Sequence, residues 1–143
     1  HAPSEIVVYL VAQVPGGIGA AILANLMFQA PTAVSTTDRL SAGHLLGEVV
    51  ATAGLVLLIF ALARTGRSAV VAPAVGAYIG AAYWFTSSTS FANPAVTIGR
   101  IFTDTFAGIA PTSALWFLAA QLVGAAAGVG LVLLLFPNRK AQP

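Results

Sequence analysis

Four apolar runs, each long enough to cross a bilayer, constrain this chain more than any other feature. They lie at about 6–28, 45–63, 69–85 and 114–136. A membrane span needs about 20 predominantly apolar residues. Only 7% of the 143 residues are charged and 58% are hydrophobic, whereas soluble domains carry about 25% charged residues. The expected fold class is an all-α integral membrane protein that crosses a cell membrane several times, with membrane lipid as its first partner. The net charge of +2 rests on six basic and four acidic residues, so nothing points to a nucleic-acid partner. Cysteine is absent, which excludes thiol catalysis, disulfides and cysteine metal sites.

The stretch 86–102, between the third and fourth runs, is the candidate functional element. It opens with the polar residues Thr86-Ser-Ser-Thr-Ser90. Asn93-Pro94-Ala95 then reads as a helix start, since Asn is a preferred N-cap and Pro is favoured at the first helical position. The helix is expected over Pro94 to Phe102. Such a helix, at about 15 Å, covers half a bilayer. A polar run followed by a half-length helix suggests a re-entrant loop, because irregular backbone at membrane depth must be buried in protein or line a watery cavity. An extramembrane loop with a capped surface helix is the alternative.

The first run is apolar apart from Gln13 and Asn25, and it contains Pro15. Gly16, Ala20 and Ala24 share one face, as do Gly19 and Leu23, which predicts close helix approach there. A polar connector follows at 29–43 with Pro31, Asp38 and Arg39. The second run holds one charge, Glu48, with Thr52 a turn later; His44 reads as an interfacial residue rather than a metal ligand. The third run carries Pro73, a Gly76/Gly80 small-residue pair, and Tyr83 and Trp84 at its interfacial end. Arg64, Arg67, Arg139 and Lys140 fall on one side of the expected topology and Arg39 on the other. The positive-inside rule then makes the C-terminus and the 64–68 loop cytoplasmic, and the re-entrant stretch enters from outside.

The first and fourth runs align without gaps at an offset of 108 residues. Ala2-Pro3-Ser4 meets Ala110-Pro111-Thr112. Leu10, Ala12, Gln13 and Gly16 meet Leu118, Ala120, Gln121 and Gly124. Two matching segments that cross in opposite directions are the mark of an inverted-topology repeat. The partner of Asn93 would fall upstream of His1. The chain is therefore expected to be a fragment that lacks two spans and a first re-entrant loop.

Asn93-Pro94-Ala95 at a half-helix start, three spans before it, one after it and Glu48 in the second span together resemble the second part of an aquaporin, of the major intrinsic protein family. The resemblance covers essentially the whole chain and matches spans three to six. It implies a right-handed bundle with an inverted repeat and two half-helices meeting at mid-membrane, four protomers to an assembly, and no cofactor. It implies that Asn93 offers its amide to solute and that Glu48 supports the re-entrant loop through backbone hydrogen bonds. A Glu48 near the outer headgroups is the alternative. Carried over by position, the selectivity constriction comprises Ala81, Ser90 and Val96.

The family usually has Arg directly after its second Asn-Pro-Ala, and this chain has Val96. Its small, uncharged constriction resembles those of channels for larger neutral solutes: glycerol, urea and uncharged metalloid hydroxides such as arsenous acid. The run from Gly76 to Val96 looks like a bacterial branch linked with arsenic handling. Arg100, one turn beyond Val96, either lines the outer vestibule, snorkels, or pairs with Asp104. The function expected is a passive channel for small neutral solutes such as water and glycerol. A secondary transporter, which also uses inverted repeats, is the alternative, and a structural membrane subunit is a third reading. No nucleophile–base pair or ligand cluster is visible, so neither catalytic residues nor a metal site are expected.

Overall fold

The computed structural model describes residues 3–137. Ala2, Arg139 and Lys140, which enter the repeat and the orientation argument above, lie outside the described residues. All regular structure in the described residues is helical: α1 (Pro3–Met27), α2 (Ala42–Arg64), α3 (Val71–Phe85), α4 (Pro94–Gly99) and α5 (Pro111–Leu135). A 3₁₀ turn at Ser68–Val70 precedes α3 and another at Arg100–Phe102 follows α4. Among the described residues four stretches are long and apolar enough to cross a membrane: Ser4–Met27, Ala42–Arg64, Ser68–Phe85 and Pro111–Leu135.

The helix ends differ from the apolar runs for identifiable reasons. α1 and α5 begin at Pro3 and Pro111, each about three residues before the apolar run. Proline suits the first helical turn, where its missing N–H has no partner to lose. The polar residues after it extend the helix beyond its apolar part. α2 ends in a Schellman motif: Gly66 has φ 75°, its N–H donates to Ala63 O, and Arg67 N donates to Leu62 O. α1 ends the same way on Gln29, with φ 54°; Gln29 N donates to Leu26 O and Ala30 N to Asn25 O. Pro31 follows and prevents continuation.

The chain divides into two compact units. The first comprises the residues up to Ala42 with Phe91–Ala119. Here α1 and α4 meet backbone to backbone. A Cβ on Gly17 would stand 2.7 Å from Ala95 O, and one on Gly99 would stand 2.5 Å from Gly17 O. Gly16 and Gly19, which lead the expected packing faces, have no atom of the described residues within 4 Å of an added Cβ. The connector after α1 is stitched to the segment after α4. Ser35 N donates to Ile101 O, Asn25 Nδ2 to Phe102 O and Ala110 N to Thr37 O.

The expected helix to Phe102 is thus α-helical only to Gly99 and tightens into a 3₁₀ turn. The carbonyls of Arg100, Ile101 and Phe102 accept from Ile109 N, Ser35 N and Asn25 Nδ2 instead of from a further helical turn. That satisfies the orphan acceptors of the helix end.

The second unit comprises Gly43–Ser90 with the chain from Ala120 onward. α5 lies against α2 at glycines: added Cβ atoms on Gly124 and Gly128 would stand 2.6 Å from Val49 O and 2.7 Å from Ala53 O. α3 meets α2 at Gly54, where the Tyr78 ring fills the space and its hydroxyl donates to Ala51 O at 2.9 Å. Gly76 and Gly80 have nothing within 4 Å of an added Cβ, so this pair packs no helix within the unit.

Candidate functional site

The half-helix begins as its sequence dictates. Asn93 is extended (φ −157°, ψ 124°), and its Oδ1 accepts from Ala95 N at 2.8 Å and Val96 N at 3.3 Å. Pro94 occupies the first turn. Thr97 donates its N–H and its Oγ1–H to Asn93 O, both at 3.0 Å. Asn93 therefore commits its carbonyl oxygens to the helix, while the side chain is exposed with its NH₂ donors directed away from the cap. Ala95, 8% exposed, turns inward against Gly17.

Val96 and Arg100 face a cleft of about 620 Å³ in the first unit. Gly17, Ala20, Ala21 and Ala24 of α1 make one wall, and Asn25, Thr103 and Thr105 supply its polar groups. Asn25 is buried in an apolar helix because both ends of its amide are used: Nδ2 donates to Phe102 O and Oδ1 accepts from Thr103 Oγ1 at 2.6 Å. Arg100 does not take its place through Asp104. Its guanidinium carbon lies 4.2 Å from the centre of the buried Phe91 ring. Asp104 instead accepts from Thr36 N at 2.8 Å, from Thr36 Oγ1 and from Ser35 Oγ. The Thr36 backbone bond chiefly, with the two hydroxyls, holds the Asp104 carboxyl below the usual aspartate value.

Arg39, 7% exposed, reaches the same ring at 5.3 Å. Its Nε donates to Gly108 O at 2.7 Å, a terminal nitrogen donates to Phe106 O, and its backbone N–H donates to Ser113 Oγ. Phe117 closes the ring's edge, with the centroids 5.2 Å apart. Cation–π contacts of this kind contribute about 0.5–2 kcal/mol each, more as they lose water. Sequence reading left Arg39 in a polar connector and Asn25 as a mere exception in an apolar run. A lone polar residue in such a run was the available signal for Asn25; nothing local marked Arg39.

Glu48, Ala81 and Ser90 belong to the second unit. Glu48 is fully buried and accepts from Gln121 Nε2 at 2.7 Å. Gln121 is the repeat partner of Gln13, which is exposed. Gly47, beside Glu48, approaches the polar run: an added Cβ would stand 2.9 Å from Ser87 Oγ and 3.0 Å from Ser88 N. Ser87 Oγ also donates to Gly43 O at 2.7 Å. Ser90 is 3% exposed, and its hydroxyl and that of Thr89 have no hydrogen-bond partner among the described residues. Thr89, Ser90 and Ala92 all take left-handed backbone, with φ 62°, 49° and 47°. Ala81 is exposed on α3 and its neighbour Ala82 is fully buried.

Among the described residues no group of three or more His, Cys, Asp or Glu is gathered that could hold a metal ion. No family model matches the chain. No solved structure matches it. The chain is 48% identical over 125 residues to aquaglyceroporin AqpS of Rhizobium meliloti (strain 1021), an alignment covering 87% of this chain and 53% of that protein. The chain thus spans about half the length of this curated relative. The extent of that identity and the four span-length apolar helices lead to one conclusion: the chain belongs to the aquaporin, or major intrinsic protein, family of multi-pass membrane proteins.

Proposed function

We propose that the protein is a passive channel for small neutral solutes, water and glycerol among them, and that Asn93 meets the solute near the middle of the membrane. The Asn93-capped half-helix carries this reading. Its cap consumes the Asn93 oxygens, which leaves N–H donors for a neutral acceptor such as a hydroxyl. The relative is named an aquaglyceroporin, which agrees with water and glycerol as solutes. Ala81, Ser90 and Val96 are proposed as the constriction, and Glu48 as support for the re-entrant loop. Because these constriction residues are small and uncharged, uncharged metalloid hydroxides such as arsenous acid are proposed as further solutes. A homotetramer with cytoplasmic C-termini is the proposed assembly.

The test is stopped-flow light scattering of proteoliposomes holding the full-length protein. Glycerol entry that rises linearly with the gradient, without an ion gradient, is expected. Entry no faster than in empty liposomes would sink the channel reading. Saturable entry that needs sodium or a proton gradient would favour a secondary transporter.

A further inference from the structure

Four of the six basic residues belong to the second unit: Arg64 and Arg67 in the turn from α2 to α3, and Arg139 and Lys140, which lie outside the described residues. Glu48 is the one acidic side chain in that unit's sequence, and it stands about 24 Å back along α2 from Arg64 at 1.5 Å per residue. The turn itself is fixed, since Gly66 takes φ 75° and Arg67 N donates to Leu62 O. The Arg64 guanidinium donates one terminal N–H to Phe136 O, which ties the end of α2 to the end of α5. A guanidinium has five donors, so this bond leaves others for an anion. The Arg67 side chain is exposed and has no bonded partner among the described residues. The C-terminal ends of α2 and α5 each carry about half a negative charge. That is less than two guanidiniums supply, so this end of the unit keeps a positive charge.

Beside the charge the surface is apolar. Phe60 lies one turn before Arg64 on the same face of α2 and is nearly half exposed. Leu133 and Leu135, in the last turn of α5, are each more than half exposed. Both helices are long and apolar enough to cross a membrane. Their basic ends then meet the headgroups and this flank meets the acyl chains. A soluble phosphate would engage the arginines alone, whereas a phospholipid with an anionic headgroup engages both parts. Arginine forks suit phosphate because two parallel N–H groups reach two oxygens. We infer that the α2–α3 turn and the end of α5 form a docking site for an anionic phospholipid. Arg64 and Arg67 hold its phosphate, and its acyl chains lie along Phe60 and Leu133. The site does not depend on which solute the channel carries.

The test is native mass spectrometry of the full-length protein in detergent, titrated separately with phosphatidylglycerol and phosphatidylcholine. Phosphatidylglycerol is expected to bind about tenfold tighter or more. One arginine near a membrane surface is worth about a fivefold factor toward anionic lipid. Arg67→Gln should therefore weaken phosphatidylglycerol binding about fivefold and leave phosphatidylcholine unchanged. The double variant Arg64→Gln/Arg67→Gln should lose most of the headgroup preference. Because the Arg67 side chain bonds to nothing else among the described residues, its single variant decides the matter even if the double variant misfolds. Equal affinity of the wild type for the two lipids overturns the inference, as does undiminished phosphatidylglycerol binding in Arg67→Gln. Inorganic phosphate that displaces phosphatidylglycerol at equal concentration also overturns it, because the arginines would then hold a soluble anion rather than a lipid.

Discussion

Gln29 sits at φ 54°, a left-handed conformation that costs a residue with a Cβ about 1–2 kcal/mol. Only the helix-ending bonds to Leu26 O and Asn25 O require it there. Gln29→Gly is therefore expected to raise stability by up to about 1 kcal/mol, offset in part by the greater freedom of glycine in the unfolded chain. Thermal unfolding in detergent, followed by intrinsic fluorescence, would show a higher midpoint; a lower one would mean that the Gln29 side chain contributes more than its backbone costs. Glu48 poses the opposite problem. It is fully buried, and one oxygen receives the Gln121 amide. Glu48→Ala would strand a buried donor, at about 1–3 kcal/mol for each group left unbonded. Glu48→Gln keeps the volume and an oxygen acceptor, and it should lose less. Equal midpoints for wild type and Glu48→Ala would remove any supporting role for this carboxylate.

α4 has room to lie on α1 only because glycine stands at both contact points, Gly17 and Gly99. Gly17→Val would put a branched side chain where even a Cβ lies 2.7 Å from Ala95 O. It should displace the half-helix and lower the folded yield, whereas Gly16→Ala, facing open space, should be tolerated. Comparable monodispersity of the two variants on size-exclusion chromatography in detergent would contradict this packing. The contrast shows where sequence reading stops. Helix type and approximate extent were legible, since long apolar runs have few other solutions in a membrane. The start of α4 was legible because Asn and Pro are caps with known chemistry. The packing glycine was not: a run holding Gly16, Gly17 and Gly19 offers several small-residue faces, and only the partner's position selects one. Nor was the stitching of the connector legible, since it joins residues about 70 positions apart through backbone and side-chain hydrogen bonds that leave no periodic trace. In the segment after α4 to which that connector is bonded, Asp104 is held below the usual aspartate value, chiefly by Thr36 N–H. A carboxyl with a depressed folded value stabilises fully above its unfolded value of about 3.9, and the contribution is lost as pH falls through the folded value. Asp104→Asn should lower the neutral plateau of a stability–pH curve and flatten its acid limb below about pH 4, so that the two proteins converge in acid. An acid limb as steep as wild type would show that other groups govern it.

At the scale of the whole molecule, much of the helix surface is suited to hydrocarbon or to protein rather than to water. Ile6 to Val11 of α1 are each more than half exposed, and Trp84 and Leu134 are 85% and 75% exposed. Such a surface places the chain in a bilayer, where whatever path it forms must discriminate by size and charge at a few positions. Val96 tests that idea directly. It lines the cleft one helical turn before Arg100, and its side chain is short and uncharged. Val96→Arg would add a long guanidinium to that wall, narrowing the passage and adding a positive charge. In the full-length protein the variant is expected to reduce glycerol flux, and that of arsenous acid if it is carried, by about tenfold, while water, the smallest solute, is affected much less. Cation exclusion should strengthen, since the new charge acts at low local dielectric. The measurement is proteoliposome flux for water and for glycerol at matched protein incorporation. If both fluxes fall by one factor, the substitution has damaged the fold rather than the filter. If glycerol passes as fast as in wild type, Val96 does not lie at the constriction, and the assignment of Ala81, Ser90 and Val96 to it fails together.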